Sequence, residues 1–178
     1  MKKRILVTGF SGVGKSTITL KLRDQGYTAY DLDDMPGLFI ALHKGTGKQM
    51  EYWDTADLET VKNFQWMCDK EKLQTIMDRD PAETVFYCGA ATNIVDLIDL
   101  FDVVILLVAS PPVLRHRLTT RTNNTWGKTK EVQDYILLER KDDRPEILKQ
   151  AGAIVIDAAQ PIDDVVKEIL QQFVSNTV

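Results

Sequence analysis

Gly9-Phe10-Ser11-Gly12-Val13-Gly14-Lys15-Ser16-Thr17 decides how this chain is read. An apolar run, Ile5-Leu6-Val7, leads into it, and a helical pattern, Ile18, Leu20 and Leu22, leads out. Glycine, four residues, then Gly-Lys-Ser/Thr is the spacing of a phosphate-binding loop (P-loop or Walker A) between a strand and a helix. Gly9, Gly12 and Gly14 have no Cβ, so the backbone curls and successive N–H groups, those of Ser11 and Val13 among them, point inward at an anion. A helix beginning near Lys15 adds its own unsatisfied N–H groups and the positive end of its dipole. Lys15 brings a mobile charge to the β- and γ-phosphates, and Ser16, followed by Thr17, offers a hydroxyl to Mg²⁺. The alternative is a glycine-rich turn that matches by chance. The complete spacing, the strand before it and the helix after it all argue for the phosphate loop.

At 178 residues the chain has the length of one domain, and residues 1–178 are read as such. The hydrophobic content of 44% and charged content of 27% fit a soluble globular protein. A net charge of −4 argues against nucleic acid or an anionic membrane surface as general partners. Cys68 and Cys88 have no metal-like or redox-like spacing and read as buried thiols; with only the distant His43 and His116 they form no zinc site. The basic start Met1-Lys2-Lys3-Arg4 is followed by an apolar run that ends at Gly9, too short for an export signal or a membrane span, so a cytoplasmic location is expected.

Along the chain, strands are expected near Arg4–Thr8, Thr28–Leu32, Thr84–Cys88, Val103–Val108 and Ala153–Asp157. A first helix runs from Lys15 to Gln25, with Gly26 just past its end. Thr55 is a candidate N-cap for a second, in which Leu58, Val61, Phe64 and Cys68 recur at helical spacing as far as Asp78. Asn93–Leu100 reads as a short helix, and Pro111-Pro112 open another. Thr122–Lys130 reads as a mobile loop, followed by a helix from Glu131 to Lys141 that continues beyond a break near Pro145. Ile162, Val165, Val166, Ile169, Leu170 and Phe173 make an amphipathic last helix. Gly45-Thr46-Gly47-Lys48 lacks the earlier glycine of a second phosphate loop and reads as a turn. Alternating strands and helices imply an α/β fold: three layers, α/β/α, around an open five-stranded parallel sheet, with the binding crevice beyond the carboxyl ends of the strands.

With the phosphate loop and Leu114-Arg115-His116-Arg117-Leu118-Thr119-Thr120-Arg121 in view, nearly the whole chain resembles the small P-loop kinases: nucleoside and nucleotide kinases, shikimate kinase and gluconate kinase. In them a similar Arg-Leu-x-x-Arg segment opens a short lid. The resemblance puts Arg117 near the adenine, Arg121 at the phosphates, the lid in 112–144 and the acceptor-binding arm in 35–80. A solvated basic helix face is the alternative for those arginines. Arg140 and Arg144 are further lid candidates, or surface partners of Asp142 and Asp143. Asp157-Ala158-Ala159-Gln160-Pro161 resembles the loop along the adenine, and Gly89-Ala90-Ala91 is expected to line the acceptor pocket.

Departures from the family pattern narrow the reading. There is no Asn-Lys-x-Asp for guanine, and Ala109 stands where a Mg²⁺-side carboxylate often ends a buried strand. Asp33, with Asp31 and Asp34 as alternatives, is then the candidate acid for the acceptor hydroxyl and for the metal beside Ser16. No arginine stands between Arg23 and Arg79, so the arm lacks the planar fork that clamps an acceptor phosphate. Tyr52, Trp53 and Trp66 offer flat surfaces instead, Trp53 either as a stacking face or as core. The expectation is ATP- and Mg²⁺-dependent phosphoryl transfer to a hydroxyl of a small molecule, nucleoside- or polyol-like, with Lys15, Asp33 and Arg121 catalytic. A nucleoside monophosphate kinase and an ATP-binding regulator with little transfer activity stay open. The acceptor's identity and the oligomeric state are not written in the sequence.

Overall fold

A computed structural model describes residues 2–122, 125–139 and 141–174. In chain order the strands are β1 (Lys3–Gly9), β2 (Thr28–Asp31), β3 (Phe39–His43), β4 (Phe64–Cys68), β5 (Thr84–Cys88), β6 (Val103–Val108) and β7 (Ile154–Asp157). The helices are α1 (Lys15–Asp24), α2 (Leu58–Asn63), α3 (Lys70–Arg79), α4 (Pro111–Thr120), α5 (Lys130–Asp134), α6 (Arg144–Gln150) and α7 (Ile162–Val174). A π-helical turn, Tyr135–Glu139, continues α5. Arg140, Asn123 and Asn124 lie outside the described residues, as does the side chain of Phe173. Among the described residues no helix is long and apolar enough to cross a membrane.

The expected five-stranded sheet forms in the order β2-β5-β1-β6-β7, every neighbouring pair parallel. Its strands are apolar on both faces because both are covered. Ile5, Val7, Phe86, Cys88, Ile105 and Leu107 face α1, α4 and α7, where Ile18, Leu22, Leu114, Val165, Val166 and Ile169 meet them. Leu6, Val85, Tyr87 and Leu106 face the other way, onto Leu73 and Met77 of α3 and Leu148 of α6. Ile5, Leu6, Ile18 and Leu22 are fully buried, each worth about 1.5–3 kcal/mol relative to exposure. A third, smaller core gathers Val61 of α2, Leu118 of α4, and Val132 and Ile136 around α5, with Phe10 of the phosphate loop against it.

The long helix expected from Leu58 to Asp78 is instead helix, strand, helix. Phe64–Cys68 pairs antiparallel with β3, Phe39 opposite Cys68 and His43 opposite Phe64. Its other edge is satisfied by side chains: Thr92 Oγ1 accepts from Trp66 N at 3.0 Å, and Asn93 Oδ1 accepts from Cys68 N at 3.0 Å. A five-residue run with two large aromatics packs better on a partner strand than around a helix axis, and tertiary pairing overrides the 3.6 periodicity. The N-caps are not Thr55. Asp57 accepts from Thr60 N ahead of α2, and Asp69 from Lys72 N ahead of α3. The short helix expected over Asn93–Leu100 is present as a 3₁₀ helix, Ile94–Leu100. The Gly45–Lys48 segment is a turn, and Leu42 and Gln49 bridge across it.

Candidate active site

The phosphate loop leaves the end of β1 and enters α1. Gly9 has φ 148°, and a Cβ there would stand 2.4 Å from the carbonyl oxygen of Leu107, so only glycine lets β1 lie this close to β6. Gly14, the N-cap of α1, has φ 106°; no side chain caps the helix and no acid lies in its first turn. The helix N-terminus is therefore open to an anion, with its N–H groups and dipole aimed there. Ser16 and Thr17 stand exposed in that first turn.

Lys15 folds back over the loop, donating from Nζ to the carbonyls of Gly9 at 2.9 Å and Phe10 at 3.1 Å. Burial holds its ammonium below the ordinary lysine range; the nearby charges of Asp33 and Asp31 pull it back up, and that of Arg121 pushes it down. Those influences show that three separate segments converge on one place: the β1–α1 turn, the turn after β2, and the end of α4.

Asp31 ends β2 and is buried; its carboxylate accepts from Asp33 N at 3.2 Å and starts the 3₁₀ turn Leu32–Asp34. Asp33 projects from that turn into the crevice, open to solvent on its outer side, and Trp66 Nε1 donates to its Oδ1 at 2.9 Å. The surrounding protein removes enough water to raise its carboxyl above the ordinary aspartate value, against the lowering effects of the Trp66 bond and the Lys15 charge. Leu32 sets the turn's position: a Cβ on Gly89 would come within 2.7 Å of Leu32 Cβ. Asp34 is exposed beside them.

From α4, Arg117 donates to the carbonyls of Val13 at 3.3 Å and Ala158 at 2.7 Å, fastening the phosphate loop to the turn after β7. Arg121, one helical turn on, reaches Ser11 Oγ at 3.3 Å and donates to the carbonyl of Trp126. Burial disfavours its charge. Of the two alternatives for Arg144 the structure has the ion pair: Arg144 pairs with Asp142 and donates to the Ala91 carbonyl at 2.8 Å. The Ala91 side chain is buried in the core, so only the backbone of Gly89-Ala90-Ala91 is available to line a pocket. Cys68 and Cys88 are the buried thiols expected, each pushed up to about 12 by desolvation.

What the sequence left undecided is the fate of the aromatics. Phe39 stacks on Trp66 with centroids 5.0 Å apart, Phe64 on Trp66 at 6.0 Å, and Trp53 tilts against Phe64 at 5.6 Å. Trp126 joins from beyond α4, 5.2 Å from Phe64. They are half-buried, and Trp66 joins the cluster to Asp33; Trp53 packs in this cluster, outside the main core. Among the described residues no three His, Cys, Asp or Glu side chains gather to hold a metal. Ser16 with one carboxylate suits Mg²⁺, which keeps waters and takes the rest of its oxygens from substrate phosphates.

No family model and no curated protein matches the chain. Solved structures do. Shikimate kinase from Acinetobacter baumannii, in complex with shikimate, aligns with a TM-score of 0.62 at 16% identity, over 100% of this chain and 96% of that one. Deoxyadenosine kinase from M. mycoides aligns at 0.55 and 18% identity, over 97% and 99%. A sugar kinase from Janibacter sp. HTCC2649 aligns at 0.54 and 18% identity, over 96% and 94%. The chain therefore has the P-loop fold that these kinase structures share.

Proposed function

We propose that the protein is a Mg²⁺-ATP-dependent kinase that phosphorylates a hydroxyl of a small, uncharged molecule. The observation that carries this reading is the meeting of Lys15, Asp33 and Arg121 at one helix N-terminus that no side chain caps. Gly9 to Thr17 cradle the triphosphate, and Arg117 steadies the adenine side. Lys15 leaves the loop carbonyls for the phosphates, and Arg121, already at Ser11, faces the oxygens on which charge is spread in flight. Ser16 and Asp33 would hold Mg²⁺, which would supply positive charge to offset that of the phosphates. Asp33 orients the acceptor hydroxyl and takes its proton as the oxygen bonds to the γ-phosphorus and the bond to the β–γ bridging oxygen breaks. The 35–80 segment acts as the acceptor arm and 112–144 as the lid. The arm presents aromatic faces and an acid, and no arginine between Arg23 and Arg79, which suits a neutral acceptor rather than a phosphate or carboxylate.

The test is ADP release from Mg²⁺-ATP against a panel of nucleosides, polyols, hydroxy acids and nucleoside monophosphates. Release with a nucleoside or polyol is expected. Release with nucleoside monophosphates alone overturns the neutral-acceptor reading, and ATP binding without release on any acceptor makes the protein a nucleotide-binding regulator.

A further inference from the structure

An unbroken line of contacts runs from Asp33 to the phosphate loop through the aromatic wall. Asp33 accepts from the Trp66 indole, Trp66 stacks on Phe64, and Phe64 packs on Trp126 with rings 5.2 Å apart and tilted by 46°. The Trp126 carbonyl accepts from Arg121, whose other nitrogen reaches Ser11 Oγ at 3.3 Å. Trp126 thus holds the acceptor-side wall with its ring and the phosphate-side arginine with its backbone. It also packs against the small core that includes Phe10 of the phosphate loop.

The short stretch around Trp126 is held from both sides. On the α4–α5 side, Gln133 donates to the Gly127 carbonyl at 2.8 Å, and Lys128 donates to the carbonyls of Thr119, at 3.1 Å, and Arg121. On the 35–80 side, Thr55 and Thr125 hydroxyls meet at 3.1 Å, and Thr129 donates to the Ala56 carbonyl at 3.3 Å. Those hydroxyl bonds lie exposed and compete with water, so each contributes little. The ring contact of Trp126 with Phe64 is an apolar fastening on that side, beside Leu58 and Val61 of the small core, and aromatic pairs add to the area they bury.

We propose that Trp126 is a positioning residue for phosphoryl transfer. By packing on Phe64 it fixes the carbonyl that aims Arg121 at the phosphate loop, so acceptor wall and phosphate site are set together. This rests on the kinase reading above. Contiguity alone does not establish coupling; a double-mutant cycle does.

The experiment measures ADP release from Mg²⁺-ATP, with water alone and with the panel acceptors, for wild type, Trp126→Ala, Arg121→Ala and the double variant. Trp126→Ala is expected to lose about tenfold in rate, and Arg121→Ala more. The double variant should be no slower than Arg121→Ala alone, because the effect of Trp126 on the rate runs through that arginine. Trp126→Phe keeps a ring and is expected to recover most of the rate. Phe64→Leu removes the ring pair from the other side and should reproduce the loss, also without adding to Arg121→Ala; it carries the test should Trp126→Ala melt without cooperativity. Losses that multiply in the double variant, or an unchanged rate in Trp126→Ala, overturn the proposal while leaving the kinase reading intact. Absence of ADP release from wild type under every condition overturns both.

Discussion

Replacing Asp33 by Asn separates its chemistry from its geometry. The amide oxygen of Asn can accept the Trp66 indole N–H as Oδ1 does now at 2.9 Å, so the side chain should keep its direction. What is lost is the charge and the ability to take a proton. General-base assistance is typically worth about 10²–10⁴-fold, or roughly 2.7–5.5 kcal/mol of barrier at about 1.36 kcal/mol per tenfold. We expect kcat to fall by at least about a hundredfold, with ATP binding by the phosphate loop and Lys15 largely retained. The wild-type rate should fall as pH is lowered through the Asp33 ionisation, which desolvation places above the ordinary value of about 3.9. Asp33→Asn should lack that limb.

Stability should move the other way. A carboxyl whose folded pKa is raised binds more protons when folded, so its cost is absent below the unfolded pKa and complete above the folded one. At neutral pH the variant should therefore melt no lower than wild type. The assay is steady-state kinetics across the acid range with an acceptor found by the panel, beside Asp31→Asn and Asp34→Asn. Near-wild-type kcat for Asp33→Asn, or an acid limb that survives the substitution, would refute the general-base role.

Mg²⁺-ATP should raise the melting temperature of the wild type, by an amount equivalent to about 2.7 kcal/mol at a hundredfold excess over Kd; Lys15→Ala should lose most of that shift, and an equal shift in both would remove the lysine from the site. Trp66→Phe keeps the stacked wall but deletes the indole bond that lowers the Asp33 pKa, so the acid limb of kcat should move to higher pH; a downward move or none contradicts the assignment. Gly89→Ala forces a methyl within 2.7 Å of Leu32 Cβ; a loss of about 1–3 kcal/mol in urea unfolding is expected, with slower transfer because Leu32 adjoins Asp33, and an unperturbed protein would show that the turn can yield.

The parallel sheet and its phosphate loop were legible because their signals are local. Glycines at Gly9, Gly12 and Gly14 punctuate the chain between a buried strand and a helix, and Val103–Val108 is too uniformly apolar to be covered on one face only. Arg117 and Arg121 were singled out by the resemblance of their segment to a kinase lid, and both reach the loop from one helix end. The strand Phe64–Cys68 was not, because Leu58, Val61, Phe64 and Cys68 satisfy a helical period and strand pairing depends on residues far away, Phe39–His43 and Thr92-Asn93. One local signal was there to be used: Asp69, three residues ahead of Lys72, is an N-cap in the middle of the supposed helix. Which aromatics face Asp33 follows from that strand, so the acceptor wall could not be drawn before it.

The chain has three tryptophans, and all of them, Trp53, Trp66 and Trp126, lie in the one aromatic cluster between β4 and the stretch after α4. Its intrinsic fluorescence excited on the red side of the tyrosine band therefore comes from a single locality. The emission reports on the crevice wall and is largely blind to the rest of the molecule. Stopped-flow mixing with Mg²⁺-ATP or with an acceptor can thus follow events at the wall with no label attached. Trp126→Phe removes the emitter nearest Arg121 and leaves the pair on the other side, so the difference between two emission traces divides the signal between the two substrates' sides of the crevice.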